Sequence, residues 1–285
     1  MGEEELANRQ KMIQCGKYSL DFSKKTLIMG ILNITPDSFS DGGSFFDIEK
    51  AVEHARQLVM DGADIIDIGG ESTRPGAAVV SAEEEMERVI PVIKAITDEI
   101  DVPISIDTYK ADVAREAIHA GAHIINDVWG GKADERMYVT AAELDVPYIL
   151  MHNRDHLDYQ HFIRDSFTDL YECILAAKKA GVQDEKIILD PGIGFAKNLD
   201  MNLDMMGNLN HLVALGYPVL LGTSKKSMIG AILDLPPDER VEGTIATVCF
   251  GIQQGCQIMR VHNVKEVSRA AKVMDALLTG GKING

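Results

Sequence analysis

The chain has 285 residues, of which 46% are hydrophobic, and carries 28 basic against 44 acidic side chains for a net charge of −16. That balance argues against a protein that binds the phosphates of nucleic acid, and confines any anionic ligand to a place where basic groups are locally focused. One α/β barrel, a fold that stays a single domain at about 250 residues, is the economical expectation for 1–285, with residues 1–14 as a tail extension.

In chain order, Cys15 to Lys25 alternates in polarity and predicts a β-hairpin, which we place as a plug on the N-terminal face of the barrel. From residue 26 onward short β-branched runs alternate with longer amphipathic stretches, the pattern of βα units around a parallel sheet. The strands are expected at Thr26 to Asn33, Asp64 to Gly69, Pro103 to Asp107, His123 to Asp127, Pro147 to His152, Lys186 to Asp190, Pro218 to Gly222 and Gln257 to His262. They specify a (β/α)8 TIM barrel. The first helix, Asp47 to Asp61, has Ile48, Ala51, Val52, Ala55, Leu58 and Val59 on one face, with Asp47 as its N-cap. Ser81 and Glu84 form a capping box before a helix that contains Pro91. Later helices are expected near 110–120, 133–143, 161–180, 199–215, 224–255 with an interruption at Pro236-Pro237, and 263–279. Gly62-Ala63-Asp64-Ile65-Ile66-Asp67 is echoed by Gly121-Ala122-His123-Ile124-Ile125-Asn126, which supports repeated βα construction.

The four cysteines form no CxxC pair, no run reaches the length of a membrane span, and Met1 to Met12 lacks an apolar signal core. A soluble protein of a reducing cytoplasm is expected, with no nucleic-acid or membrane partner.

In such a barrel the reacting groups come from the C-terminal ends of the strands. There the chain places Asn33, Asp67, Asp107, Asn126-Asp127, His152-Asn153, Asp190, Ser224-Lys225-Lys226-Ser227 and Arg260-Val261-His262. For any one acidic or amide residue a cap or turn is the simpler explanation, as for Asp107-Thr108 before a helix or Asp190-Pro191-Gly192 in a turn. Capping does not explain Lys226, Arg260 and His262 together, because cations are disfavoured at helix N-termini. A bound phosphate or diphosphate does; the alternative is a set of rim ion pairs, easier to accept for one residue than for three. Two long βα loops, Asn33 to Gly43 and Glu71 to Val80, read as lids over the cavity or, alternatively, as plain surface loops.

The blocks Gly30 to Gly43, Asp67 to Gly76, Ser105 to Thr108, Asn126-Asp127, Asp190-Pro191-Gly192-Ile193-Gly194-Phe195, Gly222 to Ser227 and Arg260 to His262 resemble those of the dihydropteroate synthase family over nearly the whole length. The resemblance implies condensation of 6-hydroxymethyl-7,8-dihydropterin diphosphate with p-aminobenzoate, giving 7,8-dihydropteroate and pyrophosphate, with Mg²⁺ as cofactor. It implies a pterin pocket of Asp107, Asn126, Met151, Asp190, Lys226 and Arg260, and a diphosphate site of Asn33, Arg260 and His262 with Asn33 as the metal contact. It further implies a p-aminobenzoate site of Phe39, Thr73, Pro75, Phe195 and Ser227. Asp41, Lys226, Asn33 and Arg74 are the expected catalytic groups, Asp41 stabilising a cationic intermediate. A homodimer through the late helices and susceptibility to sulfonamides come with the family. Two departures stand out: Lys225 replaces a common arginine and loses its bidentate fork, and Asn263 replaces a common aspartate but can still cap the last helix. The competing readings are a pterin-binding corrinoid methyltransferase barrel, which should lack the two loop blocks, and a non-catalytic paralogue, which should lack Lys226, Arg260 or His262.

Overall fold

The computed structural model describes residues 10–34, 44–72 and 79–280. A hairpin of β1 (Met12–Cys15) and β2 (Tyr18–Asp21) comes first, paired antiparallel. It starts before the expected Cys15, so residues 12–14, expected in the tail, are strand instead. Ile13 and Cys15 are the cause: both are buried, and alternation with exposed Met12 and Gln14 makes the segment a half-buried strand.

The barrel strands are β3 (Leu27–Asn33), β4 (Ile65–Gly69), β5 (Ile104–Asp107), β6 (Ile124–Asp127), β7 (Tyr148–Met151), β8 (Ile187–Asp190), β9 (Leu220–Leu221) and β10 (Ile258–Val261). They pair in parallel in the order β8-β7-β6-β5-β4-β3-β10-β9, and a parallel bridge from Leu189 to Val219 joins the two ends. The expected (β/α)8 barrel is therefore present. Helices α1 (Ser44–Met60), α2 (Ala82–Glu99), α3 (Ala111–His119), α4 (Met137–Leu144), α5 (Phe162–Ala180), α6 (Leu199–Gly207), α7 (Leu209–Val213), α8 (Ser227–Leu233), α9 (Val241–Gln254) and α10 (Val264–Leu278) surround it.

Two apolar cores hold these layers. One lies between strands and helices and includes Ile66, Val89, Ile93, Ile106, Leu150 and Leu189. The other fills the barrel's N-terminal half, where Leu27, Met29, Ile65, Ile124, Ile149, Ile188, Leu220 and Ile258 meet Ile13, Cys15 and Leu20 of the hairpin. The hairpin is thus the plug anticipated from sequence, and each fully buried Ile or Leu contributes about 1.5 to 3 kcal/mol.

Several boundaries differ for identifiable reasons. α1 begins at Ser44, so Asp47 stands inside the helix and not before it as its N-cap. Ser81 does cap α2, accepting from Glu84 N at 3.1 Å, and the helix continues through Pro91. α4 starts at Met137 and not at 133; Asp134 stands before it, accepting from Ala111 N at 2.9 Å and from Arg136 N at 3.1 Å. The stretch 199–215 divides at Asn208 into α6 and α7, and 224–255 divides around a short 3-10 turn, Pro237–Glu239.

Candidate active site

Side chains alternate across a strand, so the residue two positions beyond each barrel-filling side chain faces the same interior, one layer nearer the C-terminal mouth. Ile65 is followed in this way by Asp67, Ile124 by Asn126, Ile149 by Met151, Ile188 by Asp190, and Ile258 by Arg260 and then His262. Asn33 ends β3 beside Gly69, which itself pairs with Asp107. Strand pairing also sets Asp107 beside Asn126 and Met151 beside Asp190. The apolar plug and the polar mouth are two layers of one periodic pattern.

At the centre, Arg260 donates from Nε to Asp67 Oδ2 and from Nη2 to Asp107 Oδ2, both at 2.6 Å. Asn126 Nδ2 donates to the same Asp67 oxygen at 3.2 Å. Asp107 is therefore not a helix cap; Thr108 Oγ1 takes the local role, accepting from Lys110 N. Asp67 Oδ1 and Asp107 Oδ1 are buried and accept no hydrogen bond among the described residues. A buried polar atom without a partner costs about 1 to 3 kcal/mol, so both oxygens are poised to accept from a ligand. Burial raises the pKa of Asp107, opposed by the charge of Arg260.

Asp190 is buried, and Gly192 N donates to its Oδ1 at 2.7 Å. The turn explanation thus accounts for one oxygen and leaves Oδ2. Burial pushes this carboxyl up, against the attraction of Lys226. Lys226 is half-buried, donates to Ile193 O, and holds its ammonium 4.7 Å from the centre of the Phe195 ring. Loss of water lowers its pKa to about 8, with Asp190 pulling the other way. Arg260 and Lys226 converge at Gly222, where an added Cβ would lie 3.9 Å from both Arg260 Cβ and Lys226 Nζ. His262 follows β10, its Nδ1 2.9 Å from Ser224 Oγ. The rim ion-pair alternative thus applies to Arg260, while Lys226 donates to a backbone carbonyl.

Ser227 opens α8 and is exposed. With Lys197, Asn198, Leu199, Asn202, Met228 and Ala231 it lines a hollow of about 260 Å³. Phe39, Asp41, Thr73, Arg74 and Pro75, and most of both expected lids, lie outside the described residues. Lys225 has a left-handed backbone (φ 60°), and its Nζ is 3.4 Å from the exposed Asp238. Asn263 stands at the cap position of α10 but makes no side-chain cap bond, and its buried Oδ1 accepts nothing among the described residues; its expected capping role is corrected accordingly.

Three residues with a part in the site have no role that sequence reasoning assigns. Asp67 carries the Arg260 network, and its signal is its inward parity two residues after Ile65. Lys197 and His152 meet behind the 190–197 segment, and no local pattern pairs residues that far apart. Asp127, by contrast, is fully used by the fold, accepting from Trp129 N, Gly131 N and Tyr148 OH.

The family model described as pterin binding enzyme matches residues 29–262. A Bacillus subtilis dihydropteroate synthase is 57% identical over 277 residues, covering 97% of each chain. The chain belongs to the dihydropteroate synthase family. Solved dihydropteroate synthases share the fold. One from Clostridium difficile, determined in the presence of pteroic acid, is 51% identical with a TM-score of 0.88, covering 90% of this chain and 98% of that one. One from Xanthomonas albilineans, with 4-aminobenzoic acid, is 39% identical with a TM-score of 0.90, covering 94% and 98%.

Proposed function

We infer that the protein joins 6-hydroxymethyl-7,8-dihydropterin diphosphate to p-aminobenzoate. The observation that carries the reading is the convergence of buried acceptors (Asp67, Asp107, Asp190) with the cations Arg260 and Lys226 at the mouth of a closed barrel. A pterin presents an amino group and a ring N–H as neighbouring donors, which Asp190 Oδ2 and the unpartnered Asp107 Oδ1 suit, with Asn126 adding a mixed contact. Lys226 donates to the pterin carbonyl, and Met151 packs against the ring system. Arg260 and His262 hold the diphosphate.

In the reaction the C–O bond to the diphosphate breaks, the aniline nitrogen bonds to the freed methylene carbon, and the nitrogen gives up a proton. No side-chain nucleophile is needed. Arg260 and His262 stabilise charge that grows on the departing pyrophosphate. We assign Phe195 and Ser227 to p-aminobenzoate, the ring against Phe195 and the carboxylate toward the hollow beside Ser227. Asn33 fits Mg²⁺ as a single amide-oxygen ligand on an exposed strand end, since this ion takes few protein ligands and shares phosphate oxygens and water. Bound there, the ion would neutralise diphosphate charge.

We also propose a homodimer through the late helices, supported by Phe250 on α9 and Val273, Leu277 and Leu278 on α10, all large apolar side chains left exposed. Light scattering on the purified protein decides it. The buried thiols of Cys15 and Cys173, outside any disulfide, suit the cytoplasm, and no helix among the described residues is long and apolar enough to cross a membrane. For the activity, the protein is incubated with the pterin diphosphate, p-aminobenzoate and Mg²⁺. Dihydropteroate and pyrophosphate are the expected products, and their absence with folded protein overturns the assignment.

A further inference from the structure

The segment from Asp190 to Lys197 links the pterin carboxylate to the Phe195 ring, yet contains no helix or strand beyond Asp190. Its backbone is contorted: Gly192 (φ 68°), Gly194 (φ 83°) and even Ala196 (φ 44°) are left-handed. Such a course persists only where surrounding groups enforce it, and here side chains from outside the segment take the carbonyls of Ile193, Ala196 and Lys197. Lys226 donates to Ile193 O, Tyr159 OH to Ala196 O at 2.9 Å, and Asn202 Nδ2 to Lys197 O at 3.3 Å.

The segment's own Lys197 takes two more carbonyls. Only 9% exposed, its Nζ lies 2.9 Å from Gly192 O, 3.0 Å from Phe195 O and 2.8 Å from His152 Nδ1. An ammonium has three N–H donors, and three acceptors surround it. The imidazole's part is set by its other side. His152 Nε2 is 3.0 Å from Asp169 Oδ2, a carboxylate that only accepts, so Nε2 carries the hydrogen and Nδ1 turns its lone pair to Lys197. Asp169 is gripped in turn by Arg154, from Nε at 2.6 Å and Nη2 at 2.9 Å. Charges alternate from the surface inward: Arg154 positive, Asp169 negative, His152 neutral, Lys197 positive.

We propose that Lys197 is a positioning residue for the condensation: oriented by His152 and Asp169, its ammonium sets the curve of residues 190–197 and hence the spacing between Asp190 and Phe195. The catalytic consequence rests on the function proposed above; the clamp itself does not. Burial lowers the pKa of Lys197 to about 7, with Asp190 and Asp169 favouring the charge and Lys226 and Lys132 opposing it. Neutral lysine would have two donors for three acceptors, leaving one loop carbonyl or the imidazole lone pair unmet.

Two readouts on Lys197→Met test this. In the ligand-free protein, hydrogen exchange at the Gly192, Gly194 and Phe195 amides should speed up at least about tenfold while the barrel strands keep their protection. In turnover, KM for p-aminobenzoate should rise about tenfold with kcat changed by less than about threefold, a split that simple loss of folded enzyme does not produce. Asp169→Asn, on α5 and linked to the segment through His152 and, by way of Arg154 against the Tyr159 ring, through Ala196 O, should shift both readouts the same way by a smaller factor, and serves should Lys197→Met not fold. Unchanged amide exchange in either folded variant overturns the clamp. Faster exchange with unchanged KM overturns the positioning role. A wild-type protein that forms no dihydropteroate overturns the function, while the exchange data still decide the clamp.

Discussion

Arg260 on β10 and Asp107 on β5 meet across the barrel mouth, Nη2 2.6 Å from Oδ2, although 153 residues separate them in the chain. Asp67 accepts from the same guanidinium. One cation between two buried carboxylates is held in a fixed direction, with one negative charge left over when both carboxyls are ionised.

Asp67→Asn should therefore act through Arg260. The shape is kept, but the ion pair becomes a weaker neutral contact and Arg260 loses its fixed direction. KM for the pterin diphosphate should rise about tenfold with little change in KM for p-aminobenzoate, and stability should fall by about 2 kcal/mol. Steady-state kinetics with each substrate varied, and urea titration, check both.

Asp190→Ala removes the acceptor for the pterin donors and also frees Gly192 N from its 2.7 Å bond. Pterin binding should become undetectable by calorimetry. Unchanged affinity in the folded variant would remove Asp190 from the pocket.

His152 should make the fold acid-sensitive. Burial lowers its pKa from 6.5 to about 4 despite the Asp169 bond. Between those values the unfolded chain binds more protons than the folded one, so stability falls as pH drops, by on the order of 3 kcal/mol across the window. The carboxyl of Asp169 is held below its usual range by His152 and Arg154, even though partial burial acts the other way, and it loses stability in the same direction at lower pH. Urea midpoints measured from pH 7 to 4 should decline less steeply in His152→Gln than in wild type.

Two glycines should respond oppositely to alanine. At Gly192 the backbone is left-handed and a Cβ would lie 1.9 Å from His152 O, so Gly192→Ala should cost about 3 kcal/mol or more and disturb the 190–197 segment. At Gly207, at the end of α6, a Cβ would meet nothing within 4 Å, and Gly207→Ala should be neutral or stabilise by up to about 1 kcal/mol. Thermal unfolding of the two variants side by side separates them.

How much is legible in the chain depends on range. Strand existence is legible because the alternation Ile65-Asp67, Ile124-Asn126 and Ile188-Asp190 is local, and the same alternation nominates the mouth residues without knowledge of any contact. Ser81 and Glu84 announce the start of α2 because capping acts within three residues. Asp47 misleads because aspartate is common both at the cap and within the first turn of helices in general.

The sequence by itself determined the barrel, the family and the identity of most candidate site residues, since periodicity, turn chemistry and motif blocks are properties of neighbours along the chain. Tertiary structure alone decided the pairing of Arg260 with Asp67 and Asp107, and the Arg154–Asp169–His152–Lys197 chain behind the 190–197 segment. Those contacts depend on which strands and loops the closed barrel brings together, and on burial deep enough that each charge must find a particular partner.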